Sequence, residues 1–308
     1  MKIISLAENT EGISGCGTEH GLSLWIETGN HKILMDTGAS DLFAQNAEKL
    51  GVDLSLADIC VISHGHNDHG GGLKCFLDIN RKAKVFIQES AFGEYYSIRS
   101  NEPVYIGLDP SLKENERIIR VQGDYEIEPG IILFSGVPLN HPMYHTNDHL
   151  KQKVNDELIN DTFMHEQYLV IRENGMQVLF SGCAHRGILN ILEEYRNRYG
   201  KDPDYALSGF HTMNHSRGYT DEEIHDIIMT AQELKKRSTV FYTCHCTGTA
   251  PYEAMKVIMN RQLNYLHCGE QLTLSKSGKG NYMKYHKMFA WGTVFCFVMT
   301  MITGYKRK

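Results

Sequence analysis

Three histidines and one aspartate occupy the six residues from His64 to His69. His64 and His66 are two residues apart, so their side chains point to the same side of an extended segment and can grip one ion. Asp68 and His69 follow where the chain turns, and they can face a second position nearby. Neutral imidazoles together with a carboxylate suit zinc, iron or manganese. The pattern predicts a metal site, and the alternative is a solvated polar loop that is rich in histidine.

Predicted secondary structure places this metal loop, residues 63–72, between a strand and a helix. The apolar, β-branched run at 58–62 predicts a buried strand, and residues 73–77 begin an apolar pattern that favours a helix. Loops between rigid elements commonly hold reactive groups. Gly70, Gly71 and Gly72 permit tight backbone geometry and leave room for a substrate beside the loop.

Two later segments repeat the order of strand, ligand-rich loop and helix. Strand residues 177–180 lead into Cys183 and His185, and strand residues 239–242 lead into His245. In a two-layered sandwich of sheets these loops can lie beside the metal loop, so we predict that His185 and His245 are further ligands. Cys183 has two interpretations, because a thiolate can ligate zinc and a cysteine is also a common small buried residue.

Cys244 and Cys246 alternate with His245, so in an extended segment their side chains point away from the metal side. A C-x-C zinc knuckle is the rival interpretation, but the sequence lacks the partner pair of cysteines that it needs. His211 ends a strand predicted at 204–211, where it is either a group that contacts substrate or a core histidine.

The segment 90–160 is predicted to be a lid or insertion region. It contains His141, His145 and His149, whose spacing would place them on one helix face, but Pro142 and the polar residues after it favour a loop. We interpret this loop as an exposed lid or a substrate-facing loop, and a metal site on the three histidines is the alternative.

Composition is that of a globular protein without a nucleic-acid surface. The chain has 308 residues, of which 42% are hydrophobic and 22% charged, and its net charge is −6. No basic block precedes the extreme C-terminus, which argues against nucleic acid as a partner. Eight cysteines and an N-terminus without a signal-peptide pattern predict reduced thiols and a cytoplasmic protein.

We predict one domain over residues 1–275, followed by a basic linker and an apolar C-terminal tail at 276–308. The tail contains an uncharged run at 288–305, whose 18 residues are at the lower edge for spanning a bilayer. A membrane anchor, a docked apolar helix or strand, and a sequence that is not native in frame are the three interpretations. The aromatic and Thr/Val-rich makeup of the run weakens the anchor.

The motifs together resemble the metallo-β-lactamase superfamily, whose main metal-binding motif is H-x-H-x-D-H. They lie at residues 19–23, 34–38, 63–69, 181–188, 208–211 and 245–248. The resemblance covers residues 1–275 and looks like the branch named after dihydropterin-methyl-ribofuranosylaminobenzene-phosphate synthase of methanopterin biosynthesis. It implies an α+β fold, the four-layer αβ/βα metallo-β-lactamase sandwich.

The resemblance also implies roles for residues around two metal ions. One ion would be held by His64, His66 and His185, and the other by Asp68, His69 and His245, with Cys183 near both. Asp36 would support the metal loop by hydrogen bonding, although it also fits a turn or a helix N-cap.

We therefore expect a metal-dependent hydrolase that uses two divalent metal ions to activate water against an ester, lactone or phosphate-type bond. Zinc suits the ligands best, and iron and manganese are alternatives. Asp68 is the expected proton acceptor, and His211 and Arg186 are candidates for holding an anionic small-molecule substrate. The alternatives are a transferase on a pterin-like substrate and a metal or redox protein that uses iron and Cys183.

Overall fold

The computed structural model describes residues 1–13, 15–214, 218–276 and 281–282. The strands are β1 (Lys2–Ala7), β2 (Ser23–Glu27), β3 (Lys32–Met35), β4 (Ile59–Ile62), β5 (Lys84–Gln88), β6 (Tyr95–Arg99), β7 (Glu102–Tyr105), β8 (Ile118–Val121), β9 (Tyr125–Glu128), β10 (Ile131–Ser135), β11 (Leu150–Val154), β12 (Glu157–Asn160), β13 (Gln167–Glu173), β14 (Met176–Phe180), β15 (Tyr205–Ser208), β16 (Val240–Thr243), β17 (Leu263–Tyr265), β18 (Gln271–Thr273) and β19 (Asn281–Tyr282). The helices are α1 (Leu42–Lys49), α2 (Asn67–Gly70), α3 (Leu73–Ile79), α4 (Ile188–Tyr199), α5 (Asp221–Lys235) and α6 (Thr249–Met259).

Within the described residues the strands form three sheets. The first sheet has the order β19-β18-β1-β2-β3-β4-β5-β8, and the second has the order β17-β16-β15-β14-β13-β10-β9. Strands β3, β4, β5 and β8 are parallel, as are β14, β15, β16 and β17. The small third sheet, with the order β12-β11-β6-β7, is antiparallel.

Side chains alternate between two cores along the strands of the large sheets. Ile33 and Met35 pack between the two sheets, and Leu34 packs on the opposite face with residues of α1 and α3. This period of two is that of a strand buried on both faces. In the second sheet Val178 faces the first sheet, and Leu179 packs with residues of α4, α5 and α6. The layers are helix, sheet, sheet and helix, which confirms the predicted αβ/βα sandwich.

The loops that carry the predicted ligands leave parallel strands at their carboxyl ends. The metal loop follows β4, and the loops with Asp36, Cys183, His211 and His245 follow β3, β14, β15 and β16. Parallel neighbours run in one direction, so their carboxyl ends share one edge of a sheet. Because the two large sheets pack face to face, these edges meet and bring the loops together.

Thr220 and Glu223 cap the N-terminus of helix α5. The Thr220 hydroxyl accepts a hydrogen bond from the Glu223 amide at 3.2 Å, and the Glu223 carboxylate accepts one from the Thr220 amide at 2.9 Å. This reciprocal capping box satisfies amides that the first turn of a helix leaves without partners.

The sequence predicts a closing strand at 266–274, and the structure forms a strand over only part of that range. Strand β17 ends at Tyr265 in the second sheet, and β18 (Gln271–Thr273) lies in the first sheet. Between them the Glu270 amide donates to the His267 carbonyl at 3.1 Å, and Gly269 has a φ of 81°. A glycine adopts this left-handed conformation at little cost, so the chain turns there and crosses from one sheet to the other.

Residues 90–160 contribute strands to all three sheets. Strand β8 joins the first sheet, β9 and β10 join the second, and β6, β7, β11 and β12 form the small sheet. The assignment of this region as a lid or insertion stays a prediction.

The predictions for the apolar run at 288–305 lie outside the described residues. Within the part of the chain that the structure describes, no helix has the length and apolar character needed to cross a membrane.

Candidate metal centre

Asp36 anchors the metal loop from the neighbouring strand. Its carboxylate accepts hydrogen bonds from the Ser63 amide at 2.7 Å, from Ser63 Oγ at 2.8 Å and from His69 Nδ1 at 2.7 Å. Asp36 is fully buried and has a φ of 60°, which is uncommon for a residue other than glycine. One carboxylate therefore ties together the two ends of the H-x-H-x-D-H turn, in the support role that the resemblance implied.

Four donor groups converge on what we call the second metal position: Asp68, His69, Cys183 and His245. Their donor atoms lie within 4.8 Å of one another. The Nε2 atom of His69 lies 3.1 Å from Cys183 Sγ and 3.2 Å from His245 Nε2. Asp68 Oδ2 lies 3.2 Å from His245 Nε2 and 3.3 Å from His20 Nε2. The structure thus brings the ligands predicted for this position together from three separate loops.

His64, His66 and His185 face a neighbouring place, which we call the first metal position. The centroids of their rings are 4.7 Å (His64 to His66), 5.0 Å (His64 to His185) and 4.9 Å (His66 to His185) apart. Their Nε2 atoms are buried and have no hydrogen-bond partner among the described residues. The donor atoms of His64, Cys183 and His185 lie within 4.8 Å of one another, so Cys183 lies between the two positions.

Hydrogen bonds fix the tautomers of His64 and His69, two of the three histidines in the metal loop. Ser63 Oγ gives its only proton to Asp36, so it accepts a hydrogen bond from His64 Nδ1 at 2.9 Å. The Asp36 carboxylate can only accept, so His69 Nδ1 is also a donor. Each ring therefore turns an Nε2 lone pair toward the centre.

Two asparagines fix the histidines of the other loops in the same way. Asn147 Nδ2 donates to the His185 carbonyl at 2.8 Å, and Asn147 Oδ1 accepts from His185 Nδ1 at 2.9 Å. Asn9 Oδ1 accepts from His245 Nδ1 at 2.8 Å. Histidines that ligate metals usually donate their other ring N–H in this manner. The donor set therefore fits divalent cations at the two positions.

Burial favours the neutral form of most of these histidines, as metal binding requires. It lowers the pKa of His64 and of His185 well below the ordinary value, and it lowers the pKa of His245 to about 3. Burial would raise the pKa of Asp68, but the neighbouring imidazoles, His69 first, outweigh it and hold this pKa well below its ordinary value. Asp68 is therefore an ionised carboxylate, and the neighbouring carboxylates outweigh burial and raise the pKa of His69 above its ordinary value.

Gly182 lets the loop after β14 approach the metal loop. A Cβ atom at this position would overlap Ser63 Oγ and crowd His64 Nδ1. Cys183 and His185 reach the centre because residue 182 has no side chain.

Several residues of the centre have a positive φ. The values are 55° for Ala184, 45° for His211 and 49° for His245. Such conformations cost free energy in residues other than glycine and often cluster at functional sites. Their position at three of the converging loops supports a functional centre.

His211 lies in the centre and outside the hydrophobic clusters. Its ring centroid is 4.1 Å from that of His185, and its two ring nitrogens are buried without a hydrogen-bond partner among the described residues. The His211 carbonyl accepts a hydrogen bond from the Thr146 hydroxyl. This location is compatible with the contact with substrate that the sequence predicts.

The prediction that Cys246 points away from the metal side is wrong. Its Sγ accepts from the His211 amide at 3.3 Å and donates to the Cys183 carbonyl at 3.6 Å. The reason is that His245–Thr247 forms a short 3₁₀ turn and is not extended. Cys244 packs in the core between the two large sheets, away from the metal side, as predicted.

Arg186, which the sequence offers as a candidate for holding an anionic group, has partners elsewhere in the structure. The side chain is buried, its Nε donates to the Val137 carbonyl at 2.8 Å, and its Nη1 donates to the Thr162 carbonyl. The guanidinium is therefore committed to the backbone of two neighbouring segments.

The loop predicted around His141, His145 and His149 is present. His145–Asn147 forms one short 3₁₀ turn, and His141 and His145 pair with Glu193 and Asp226 on α4 and α5. None of the three histidines belongs to a ligand cluster among the described residues.

Sequence reasoning missed the residues that orient the ligands: Ser63, Glu8, Asn9, Asn147, Asp161 and His165. Glu8 is fully buried and accepts a hydrogen bond from the His245 amide at 2.6 Å. One signal was available, since Glu8 and Asn9 are a polar pair directly after the buried strand β1. Asn147 lies in the polar segment that follows Pro142.

Comparison with known proteins adds family relationships. The family model described as "Metallo-beta-lactamase superfamily" matches residues 16–159. An uncharacterized protein of Methanocaldococcus jannaschii is 29% identical over 242 residues, which are 75% of this chain and 84% of the relative. A protein of the same organism named 7,8-dihydropterin-6-methyl-4-(beta-D-ribofuranosyl)-aminobenzene-5'-phosphate synthase is 26% identical over 289 residues, which are 88% of this chain and 95% of that relative.

Among solved structures, a crystal structure described as a metal-dependent hydrolase of the beta-lactamase superfamily is similar to this chain. It has 29% sequence identity and a TM-score of 0.74, and the match covers 90% of this chain and 100% of that chain.

Proposed function

Because a model of the metallo-β-lactamase superfamily matches residues 16–159, and a solved metal-dependent hydrolase of the beta-lactamase superfamily is 29% identical over 90% of this chain, we propose that the protein is a metal-dependent hydrolase of this superfamily with a dinuclear centre. Bound there, two divalent cations would acidify water and polarise an oxygen atom of an ester, lactone or phosphate-type bond. One observation carries the proposal: four histidines donate Nδ1–H to other groups, and a donor nitrogen of each lies within 4.8 Å of one shared thiol, that of Cys183.

The residues that would hold the cations form two sets. We assign His64, His66 and His185 to the first metal position, and Asp68, His69, His245 and Cys183 to the second. Nitrogen, oxygen and sulfur donors in one cluster favour zinc, and iron or manganese are the alternatives.

We assign proton transfer to Asp68. Its pKa is held well below the ordinary value, so the carboxylate is ionised near neutral pH and can accept a proton from a reacting group. His20 and His245 contact Asp68 Oδ2 at 3.3 and 3.2 Å and orient it. We assign to His211 the contact with an anionic group of a small-molecule substrate, because both ring nitrogens lack partners among the described residues.

A transferase that acts on a pterin-like substrate is the second candidate function. It is favoured by the relative named 7,8-dihydropterin-6-methyl-4-(beta-D-ribofuranosyl)-aminobenzene-5'-phosphate synthase, which matches 88% of this chain. A metal or redox protein without hydrolase activity is a third candidate, favoured by the Cys183 thiol 3.1 Å from His69 Nε2.

Metal content per chain, measured for the native protein and for His66→Ala, tests the centre directly. We expect bound divalent metal in the native protein and less in the variant. Hydrolysis of a phosphodiester and of a lactone, each with and without a chelator, tests the reaction, and metal-dependent turnover is expected.

The outcomes separate the three candidates. Product analysis with a pterin diphosphate distinguishes transfer from hydrolysis. Di-iron absorption without turnover would favour the redox candidate. A native protein without bound metal, or turnover that a chelator leaves unchanged, would overturn the proposed function.

A further inference from the structure

A buried carboxylate and a buried imidazole lie behind the first metal position. Asp161 is 2% exposed and His165 is 1% exposed. His165 Nε2 lies 3.0 Å from Asp161 Oδ2, and the same oxygen lies 3.8 Å from His66 Nε2. The amide of Gly65, between the two histidines of the H-x-H motif, donates to His165 Nδ1 at 3.0 Å. The pair therefore contacts both the backbone and a ligand of the metal loop.

The hydrogen bond from Gly65 determines where His165 carries its proton. A backbone amide can only donate, so Nδ1 presents a lone pair and the ring proton lies on Nε2. This Nε2–H donates to Asp161 and has no lone pair left for a metal ion. The donor atoms of His66, Asp161 and His165 are close enough together to form a third metal site. The hydrogen bonds instead make Asp161 and His165 a hydrogen-bonded relay that supports the first metal position.

Asp161 connects this relay to the ligand from the second sheet. Its Oδ1 atom accepts a hydrogen bond from the Phe163 amide at 2.7 Å, where Phe163 has a φ of 52°. The Phe163 ring stacks on the His185 ring, with centroids 4.5 Å apart and planes 6° from parallel. One carboxylate thus fixes the surroundings of both His66 and His185.

Glu166, which follows His165 in the chain, holds the backbone of the loop that carries His185. Glu166 is buried, and its carboxylate accepts hydrogen bonds from the His185 amide at 2.7 Å and the Arg186 amide at 3.1 Å. The segment 161–166 therefore lines the first metal position and makes none of the contacts described for the second.

We propose that Asp161 and His165 are positioning residues that set the metal affinity of the first metal position. They fix the backbone between His64 and His66 and, through Phe163, the ring of His185. The inference rests on the metal centre of the proposed function and deepens it. Removal of a group that orients a metal ligand typically weakens metal binding or activity about 10–100-fold.

Zinc titration of the metal-free protein against a chromophoric chelator tests this role. His66→Ala and His245→Ala identify which zinc equivalent belongs to which position. We expect His165→Phe to weaken the first position about 10–100-fold and to leave the second unchanged. Phenylalanine keeps a ring against Tyr95, whose centroid is 4.0 Å from that of His165, but it removes both hydrogen bonds. Asp161→Asn should act in the same direction, because one oxygen cannot replace two acceptors.

Conservative and matched variants separate hydrogen bonding from packing. His165→Gln returns one acceptor and one donor, so we expect a smaller loss than with His165→Phe. The control is His141→Phe, which breaks an exposed pair of a histidine and a carboxylate, where His141 Nε2 lies 3.4 Å from Glu193 Oε2. We expect native zinc affinity at both positions in this control.

Three results would overturn the inference. They are native affinity at both positions in His165→Phe, an equal loss at both positions with a lower Tm of the metal-free variant, and a loss in His165→Gln as large as in His165→Phe. If the native protein binds no zinc or other divalent metal at all, the proposed function fails instead, so the two failures are distinguishable.

Discussion

The Nδ1 atom of His69 lies 2.7 Å from the Oδ2 atom of Asp36, and this contact aims the Nε2 atom of His69 at Cys183 and His245. Asp36 follows β3, whereas His69 follows the adjacent parallel strand β4. The register of two neighbouring strands therefore determines the direction of a metal ligand. Asp36 also holds Ser63 at the start of the metal loop, so we expect a substitution at residue 36 to disturb both ends of the turn.

We predict that Asp36→Asn weakens zinc binding at the second metal position about 10–100-fold. Asparagine has one oxygen for the three donors that Asp36 satisfies, and its amide cannot accept from His69 Nδ1. Chelator competition measures the affinity. Asp41→Asn, at an exposed aspartate beside α1, is the matched control and should bind zinc as the native protein does. Equal zinc affinity in Asp36→Asn and the native protein would contradict the support role.

The ligand loops could be predicted because their signals are local. An apolar, β-branched run directly precedes the metal loop, and similar runs precede Cys183 and His245, so strand, loop and ligand are adjacent in the sequence. The carboxyl ends of parallel strands lie at one edge of a sheet, so predicting the strands is enough to predict that their loops come together. This is why the structure brings the predicted ligand residues together and has the four predicted layers.

The supporting residues could not be predicted because their partners are remote. Gly65 and His165 are separated by 100 residues, and Asn147 and His185 by 38. No local pattern marks a histidine whose partner is a distant backbone amide. The wrong prediction for the direction of the Cys246 side chain has a different cause. Side chains alternate between two sides only in an extended strand, and His245–Thr247 forms a 3₁₀ turn.

We predict that Cys183 ligates metal at the second position. Cobalt-substituted native protein should show a sulfur-to-cobalt charge-transfer band in the near ultraviolet, and Cys183→Ser should lose it. Zinc affinity should also fall about tenfold or more, which is about 1.4 kcal/mol or more. Cys244→Ser is the control, because Cys244 packs between the sheets and its change should leave the band intact. A band that persists in Cys183→Ser would assign the thiolate to another cysteine.

We predict that Arg186→Gln affects stability and not substrate binding. The variant leaves the Val137 and Thr162 carbonyls without a charged donor, so the free energy of unfolding should fall by about 1–3 kcal/mol. Urea denaturation measures this loss. Arg196→Gln, at an exposed position on α4, should change it little. A KM that is tenfold higher in Arg186→Gln, with native stability, would instead show that Arg186 contacts the substrate.

The last prediction concerns the pH response of the loop that carries Asn147. The hydrogen bond with Asp226 raises the pKa of His145 above its ordinary value, and burial opposes this only in part. A raised pKa means that the pair's extra stability is full below the unfolded pKa, about 6.5, and is lost as pH rises through the folded pKa. Because His145 is about half exposed, the contribution is about 0.2–1 kcal/mol.

Asp226→Asn should therefore lower the pKa of His145, measured by NMR titration, and should cost more stability at acidic than at alkaline pH in urea denaturation. The residual cost at alkaline pH belongs to the His145 amide, which also donates to Asp226 Oδ2 at 2.8 Å. Asp78→Asn is the control, since it removes a carboxylate from an exposed ion pair with Lys74 that contains no histidine. An Asp226→Asn variant with an unchanged His145 titration and equal losses at both pH values would show that the loop is held by packing alone.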